Sequence, residues 1–332
     1  MLKPQEEDNL MQVENLSIRY ISGKEIVQAV RGVSFTIKSG ECMGLVGETG
    51  AGKTTTALGL LSLLPKRSAK ITDGKILFHK RNVMSFSRTE LQAYRGAGVS
   101  MIFQDPMSAL NPIHPVGKQI REALIYHNYD KVPISQLDQK VDKLLRLVGI
   151  SPERKIEYPH QFSGGMMQRV CIAMALIAEP ELIIADEPTT ALDVTIQAQV
   201  LGLINELRCQ TGTAVLLITH DLGVVAKMCQ NVAVMYAGEI MESGSAESIF
   251  HAAKRHPYTE GLFCSIPNLK VKEKRLRTIP GLMPDPTKLP VGCSFYPRCP
   301  QRMDCCVKMH PELRDVGENH KIRCHLFHTN AM

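Results

Sequence analysis

Two short stretches of this sequence carry residues whose types and order point to phosphate chemistry. Gly47-Glu48-Thr49-Gly50-Ala51-Gly52-Lys53-Thr54 fits G-x-x-x-x-G-K-[ST], with Thr55 beside it. Glycines let successive backbone N–H groups curl around an anion, and a helix that starts at the loop adds its partial positive charge. Lys53 then reaches the β- and γ-phosphates of a nucleotide, and the Thr54 hydroxyl ligates Mg²⁺. Far downstream, Leu182-Ile183-Ile184-Ala185 runs into Asp186-Glu187 and Pro188. An apolar strand ending in two carboxylates holds them at the sheet edge, Asp186 to support Mg²⁺ and Glu187 to polarise an attacking water as general base.

These residues need elements to hold them. CMGLVG before the loop reads as a short buried strand, and TTTALGLLSLL after it as a helix that Pro65 ends. Residues 12–40 alternate in short apolar runs broken by Ser-Gly and Gly, which predicts antiparallel strands, and KILFH at 75–79 predicts another. From about 88 to 178 one strand (GVSMIF) precedes mainly helical stretches, so a helical subdomain is expected there. LIIAD, VTIQAQVLGLINELRCQ, AVLLIT and the hairpin NVAVMYAGEIMESG then resume a strand–helix alternation that implies a largely parallel sheet. From residue 251 prolines multiply (Pro257, Pro267, Pro280, Pro284, Pro286, Pro290) and periodicity fades, which suggests a separate accessory region.

Phe162-Ser163-Gly164-Gly165-Met166, followed by Gln168-Arg169, opens a helical stretch near Gly165. It resembles the signature loop of ABC transporter ATPases, which other P-loop enzymes lack. The resemblance implies that the Ser163 hydroxyl and the N–H groups of Gly164 and Gly165 address the γ-phosphate of ATP held by the opposite subunit. One chain then supplies half of each shared site. On the same resemblance Tyr20 stacks on adenine, Gln104 touches Mg²⁺, Asp193 lies in the loop that crosses the dimer interface, and His220 is the switch histidine near the γ-phosphate. Glu187, His220 and Gln104 form the expected catalytic set, and Thr54, Gln104 and Asp186 the Mg²⁺ set. The implied fold is α/β: a P-loop NTPase ABC cassette with a RecA-like core, an antiparallel β subdomain and the inserted helical subdomain, spanning 10–250. The commonest signature ends in Gln, whereas Met166 stands at its fifth position and lacks the amide donor.

Five of the ten cysteines fall between Cys293 and Cys324, spaced Cys293-x₅-Cys299-x₆-Cys306-x₁₇-Cys324 with Cys305 beside Cys306. Together with HPYTEGL at 256–262 and IPG at 279–281, this tail is similar to the C-terminal region of oligopeptide/dipeptide importer ATPases, so 251–332 is expected to be a small Cys-rich accessory region. The resemblance implies a [4Fe–4S] cluster on Cys293, Cys299, Cys306 and Cys324. Zn²⁺ stands as the alternative, since both accept Cys₄ ligation, although the C-x₂-C pairs of zinc ribbons are absent. Cys305 competes with Cys306 for the third position. Cys42, Cys171, Cys209, Cys229 and Cys264 sit in apolar contexts and read as core.

At 332 residues, 44% hydrophobic and 22% charged, with a net charge of +6, the composition is that of a soluble globular chain. No run approaches the roughly 18–20 apolar residues of a membrane span, and MLKPQEEDNL is unlike a signal peptide. The resemblance therefore implies a peripheral subunit on the cytoplasmic face of the cell membrane. Its implied partners are a second ATPase subunit in a heterodimer, two membrane permeases and an external binding protein. Tandem cassettes or a long coiled coil, expected of nucleic-acid- or ribosome-acting relatives, do not occur in this chain.

Overall fold

The alternating run near the start folds as two 14-residue strands, β1 (Asn9–Ser22) and β2 (Glu25–Lys38). They belong to a computed structural model that describes residues 9–126, 133–189, 193–251, 253–265 and 278–327. The chain divides into two compact units. The first is built mainly from 37–41 and 85–217, the second from 10–36, 42–84 and the residues from 218 onward.

In the second unit the five-residue strand β3 (Cys42–Val46) is buried throughout and leads into helix α1 (Lys53–Leu60). The chain then forms β4 (Ala69–Phe78) and β5 (Arg81–Asn82). One sheet has the order β2-β1-β4-β5, and β1 runs antiparallel to β4 with Tyr20 opposite Ala69. Helix α1 stops five residues before Pro65 rather than at it. Ser62 already takes a left-handed φ of 54°, which breaks the helix without the proline.

The first unit holds α2 (Arg88–Tyr94), β6 (Val99–Ile102), α3 (Pro106–Ala109), α4 (Val116–Tyr126), α5 (Ile134–Leu147) and α6 (Gly164–Leu176). After these come β7 (Leu182–Asp186), α7 (Val194–Thr211) and β8 (Ala214–Thr219), the last two residues of β8 belonging to the second unit. The order is β8-β7-β6, with β6 and β7 parallel. Helical periodicity selects the buried faces. Val116, Ile120 and Leu124 line α4, and Leu137, Val141, Leu144 and Leu145 line α5. On α7 the stripe is Val200, Leu201, Ile204 and Leu207.

The second unit resumes with α8 (Leu222–Met228) and the hairpin β9 (Asn231–Tyr236) and β10 (Glu239–Ser245). Its turn residues Ala237 and Gly238 both have positive φ, 47° and 85°, as a tight two-residue turn requires. Then follow α9 (Ala246–His251), α10 (Pro257–Cys264), α11 (Cys305–Lys308), β11 (Arg314–Asp315) and β12 (Lys321–Ile322). The strand order is β11-β12-β10-β9-β3, with β3 and β9 parallel. The tail thus extends the sheet edge, since β12 pairs with β10. Two buried acids on β10 fasten it. Glu239 takes the Arg31 guanidinium at 3.2 Å, the Ser294 hydroxyl at 2.7 Å and the His310 ring at 2.7 Å, and Glu242 meets His320 at 2.6 Å. Regular structure therefore persists beyond residue 251, in pieces too short for periodicity to reveal. Pro267 lies outside the described residues.

Candidate functional site

In the second unit the phosphate loop is a bend between β3 and α1. Gly52 caps α1 in the left-handed region at φ 101°, and a Cβ there would stand 2.3 Å from the Ala29 carbonyl oxygen, so no other residue fits. No side chain caps this helix, and no acidic residue lies in its first turn. The leading N–H groups thus keep their positive character for an incoming anion. Lys53 is buried, at 5% exposure, and its Nζ donates to the carbonyls of Gly47 at 2.7 Å and Glu48 at 3.1 Å. A buried ammonium held by neutral carbonyls is ready to exchange them for phosphate oxygens. Gly47 and Ala51 are buried, whereas Thr49, Gly50 and Thr54 are exposed and Thr55 half-buried.

Tyr20 is half-buried on β1 of this unit, and His220 is exposed just after β8. Asp221, next to His220, caps α8 by accepting from the N–H of Gly223 at 2.8 Å and Val224 at 3.3 Å. That cap ends the strand and starts the helix at one point, which fixes where His220 stands.

In the first unit β7 is buried along its whole length and delivers Asp186, 2% exposed, at its end. Glu187 follows with φ 45°, a left-handed conformation unusual for glutamate and of the kind found at functional sites. The Gln104 Nε2 donates to the Glu187 Oε2 at 3.2 Å, so two of the expected catalytic residues meet directly. With its amide nitrogen engaged, Gln104 offers its carbonyl oxygen to a hard cation. In this unit Asp186 and Gln104 are oxygen donors of the kind Mg²⁺ prefers, and in the second unit Thr54 is another, so the residue types, taken unit by unit, suit that ion.

The Ser163–Gly165 loop starts α6. Ser163 is its N-cap, and its Oγ accepts from the Met166 N–H at 3.4 Å. Gly165 is required by close approach, since a Cβ would fall 2.6 Å from the Ile196 Cγ2. Met166 is not idle: its sulfur accepts from the Arg154 Nη1 at 3.3 Å, and that guanidinium lies 4.5 Å from the Phe162 ring centroid. Asp193 caps α7, its Oδ1 accepting from Thr195 and Ile196 at 3.0 Å each.

At the C terminus Cys293, Cys306 and Cys324 are buried, and Cys299 and Cys305 are half-buried. Burial pushes the Cys293 thiol up to about 11 and the Cys324 thiol up to about 12. Cys324 also feels Cys293, Cys299 and Cys306, whereas Cys305 feels Cys306 and Asp304. Cys305 is hydrogen-bonded to Cys306, so the structure does not set it apart from the other thiols. Among the described residues no group of three or more His, Cys, Asp or Glu side chains is placed to hold a metal ion. Of the cysteines read as core, Cys42, Cys171 and Cys229 are buried, but Cys209 is exposed and Cys264 half-buried. Cys209 stands two residues past Leu207 on α7, which turns it away from the buried stripe.

Sequence reasoning missed Arg298 and Tyr258, which both bond to Glu48 of the phosphate loop. They lie inside the PRCP and HPY stretches, but nothing in a string of letters ties those stretches to a loop more than 200 residues earlier.

A buried strand, a glycine loop and an uncapped helix, together with a strand ending in Asp-Glu, define a P-loop nucleotide-binding fold. Residues 30–190 match the family model described as ABC transporter, and residues 241–306 match that for the oligopeptide/dipeptide transporter, C-terminal region. The chain is 48% identical over 321 residues to the dipeptide transport ATP-binding protein DppD of Bacillus subtilis, covering 96% of this chain and 95% of that one. It is 44% identical over 310 residues to the oligopeptide transport ATP-binding protein OppD of Salmonella typhimurium, covering 93% and 91%. The solved dimeric post-hydrolysis structure of the ATP-binding cassette MJ0796, bound to ADP and Pi, superposes with a TM-score of 0.64 at 26% identity, covering 71% of this chain and 98% of that one. The chain belongs to the ABC transporter ATPases, a family that hydrolyses ATP. Among the described residues no helix is long and apolar enough to cross a membrane.

Proposed function

We propose that this chain is the ATP-hydrolysing subunit of an importer of di- and oligopeptides, held at the cytoplasmic face of the membrane by two permeases and supplied by an external binding protein. The observation that carries this reading is the Ser163–Gly165 helix start in a chain whose tail matches the peptide-transporter C-terminal family. In this reading 10–250 is the cassette, with its helical subdomain at about 88–178, and 251–332 is the accessory region.

Lys53 and the N–H groups of Gly50 to Thr55 bind the phosphates, and Tyr20 takes the adenine. Thr54, Gln104 and Asp186 would hold Mg²⁺, which would supply charge neutralisation at the phosphates when bound. Glu187, oriented by Gln104, accepts a proton from the attacking water, and His220 senses the γ-phosphate. Ser163, Gly164 and Gly165 close on the γ-phosphate of a second ATPase subunit, a heterodimer partner, with Asp193 at the interface. The closed dimer is favoured only while γ-phosphate bridges the chains, so hydrolysis reopens it.

The test is uptake of a labelled dipeptide by vesicles carrying the whole transporter. ATP-dependent uptake that Glu187→Gln abolishes supports the reading, and uptake indifferent to that change contradicts it.

On the resemblance of the tail sequence alone, Cys293, Cys299, Cys306 and Cys324 are proposed to hold a [4Fe–4S] cluster, with Zn²⁺ the rival occupant; among the described residues their placement does not itself form a metal site. Four thiolates would serve a segment that has little apolar core of its own. Chain purified without oxygen should contain iron and sulfide, and zinc alone would rule out the cluster.

A further inference from the structure

We infer that Arg298 and Tyr258 are positioning residues for nucleotide binding: the C-terminal segment grips the phosphate loop through Glu48 and presets it to receive phosphate. The inference deepens the ATPase reading and rests on it.

Glu48 occupies a position that the phosphate-loop motif leaves free, and all three of its polar groups are committed. Its backbone N–H donates to the Tyr258 hydroxyl at 2.9 Å. Its carboxylate receives both arms of Arg298, Nη1 to Oε2 at 2.9 Å and Nη2 to Oε1 at 3.2 Å. Its carbonyl accepts from the Lys53 Nζ at 3.1 Å. One residue therefore links the tail to the lysine that meets the phosphates.

The gripping residues are themselves fixed. Arg298 donates from Nε to the Pro280 carbonyl at 3.0 Å and from Nη2 to the Ile279 carbonyl at 3.3 Å. Its guanidinium lies 5.7 Å from the Tyr236 ring centroid, and its side chain is 6% exposed. A planar fork on a carboxylate, shielded from water, sets direction as well as distance. Tyr258 is fully buried, with ring centroids 4.7 Å from Tyr236 and 5.4 Å from Phe295. The HPY stretch aims it: His256 caps α10, its Nδ1 accepting from the Tyr258 N–H at 3.0 Å, and Pro257 supplies the first helical position. The 279–290 segment also reaches the tip of the loop. A Cβ on Gly50 would lie 3.9 Å from the Met283 Cε.

A loop of glycines has more backbone freedom to lose on binding than any other, so ordering it beforehand strengthens the complex. Nothing in the grip touches the reacting atoms. Loosening it should therefore weaken nucleotide binding and leave turnover at saturation nearly intact.

The experiment titrates the full-length chain with Mg·ADP, which reports on the chain's own loop without a second subunit, and measures KM and kcat for ATP in the complete transporter. Glu48→Gln keeps the size and removes the charge, Arg298→Lys keeps the charge and removes the fork, and Tyr258→Phe removes one hydroxyl. The first two should each raise the ADP Kd and the ATP KM about tenfold, with kcat within about twofold, and Tyr258→Phe should raise Kd about threefold. The Glu48→Gln/Arg298→Lys double variant should bind no more weakly than the worse single one. Lowered melting temperatures with an unchanged Kd in Glu48→Gln and Tyr258→Phe would overturn the inference, whether or not Arg298→Lys folds. A parent chain that fails to bind ADP would instead overturn the nucleotide-binding reading.

Discussion

The phosphate loop and the Ser163–Gly165 loop are both glycine-bearing turns at the start of a helix, yet their helix ends are prepared differently. Helix α1 has no side-chain cap, and its lysine is held over the loop carbonyls. Helix α6 is capped by its own Ser163, over a long 3.4 Å contact to the Met166 N–H. The first loop presents uncapped helix N–H groups and a buried ammonium to an anion. In the second the Ser163 Oγ only accepts, over a long contact, so its O–H can still donate to a phosphate oxygen, which suits the proposed role of meeting nucleotide brought by another chain. On the proposed function, the difference separates a nucleotide that a subunit holds by itself from one that it helps to enclose.

The largest expected effect falls on the first loop. Lys53→Ala should weaken Mg·ADP binding to the isolated chain by about a hundredfold, because a charge-assisted contact to phosphate is lost. Calorimetry on the purified variant checks this, and near-parental affinity would erase the distinction between the loops. Ser163→Ala should cut ATP hydrolysis by the assembled transporter about tenfold or more while ADP affinity of the isolated chain stays unchanged. Losing the cap should also lower stability by about 1 kcal/mol. A fall in ADP affinity equal to the fall in hydrolysis would show that Ser163 serves its own chain's nucleotide.

The smallest effect concerns the helix that carries Tyr258. Burial pushes the His256 ring down to about 3, so the folded chain keeps it neutral while the unfolded chain takes up a proton below about 6.5. The unfolded state thus binds more protons across that interval, and stability falls as pH is lowered, by at most about 1.4 kcal/mol per pH unit from this group. His256→Asn retains a capping oxygen and cannot titrate. Its melting temperature should fall less than the parent's between pH 7.5 and pH 5.5, and parallel curves would remove His256 from the account.

What could be read from the sequence follows from how local its cause is. Strand β7 ends at Asp186 as LIIAD foretells, because an unbroken apolar run followed by charge leaves one boundary. AVLLIT is likewise β8 from end to end. Helices α8 and α10, of seven and eight residues, escaped notice because they rest on side-chain caps, Asp221 and His256, rather than on a long apolar stripe. Cys209 is exposed despite its apolar sequence context, because apolar neighbours in sequence are not neighbours in space on a helix. The Arg298–Glu48 pair spans 250 residues and leaves no periodic trace, so only the folded chain reveals it. The Asp186-Glu187 pair was legible as chemistry. The left-handed backbone at Glu187 and its bond to Gln104 were not, since both depend on strands meeting in space.

Whether the phosphate loop and the Ser163–Gly165 loop serve nucleotide on different chains shows in the mass of the assembled ATPase. The Glu187→Gln chain, mixed with its partner ATPase and followed by light scattering, should form a stable two-subunit particle with Mg·ATP and fall apart with Mg·ADP. Single subunits in both nucleotides, from a parent chain that alone hydrolyses ATP at a rate per chain independent of concentration, would contradict that division between chains.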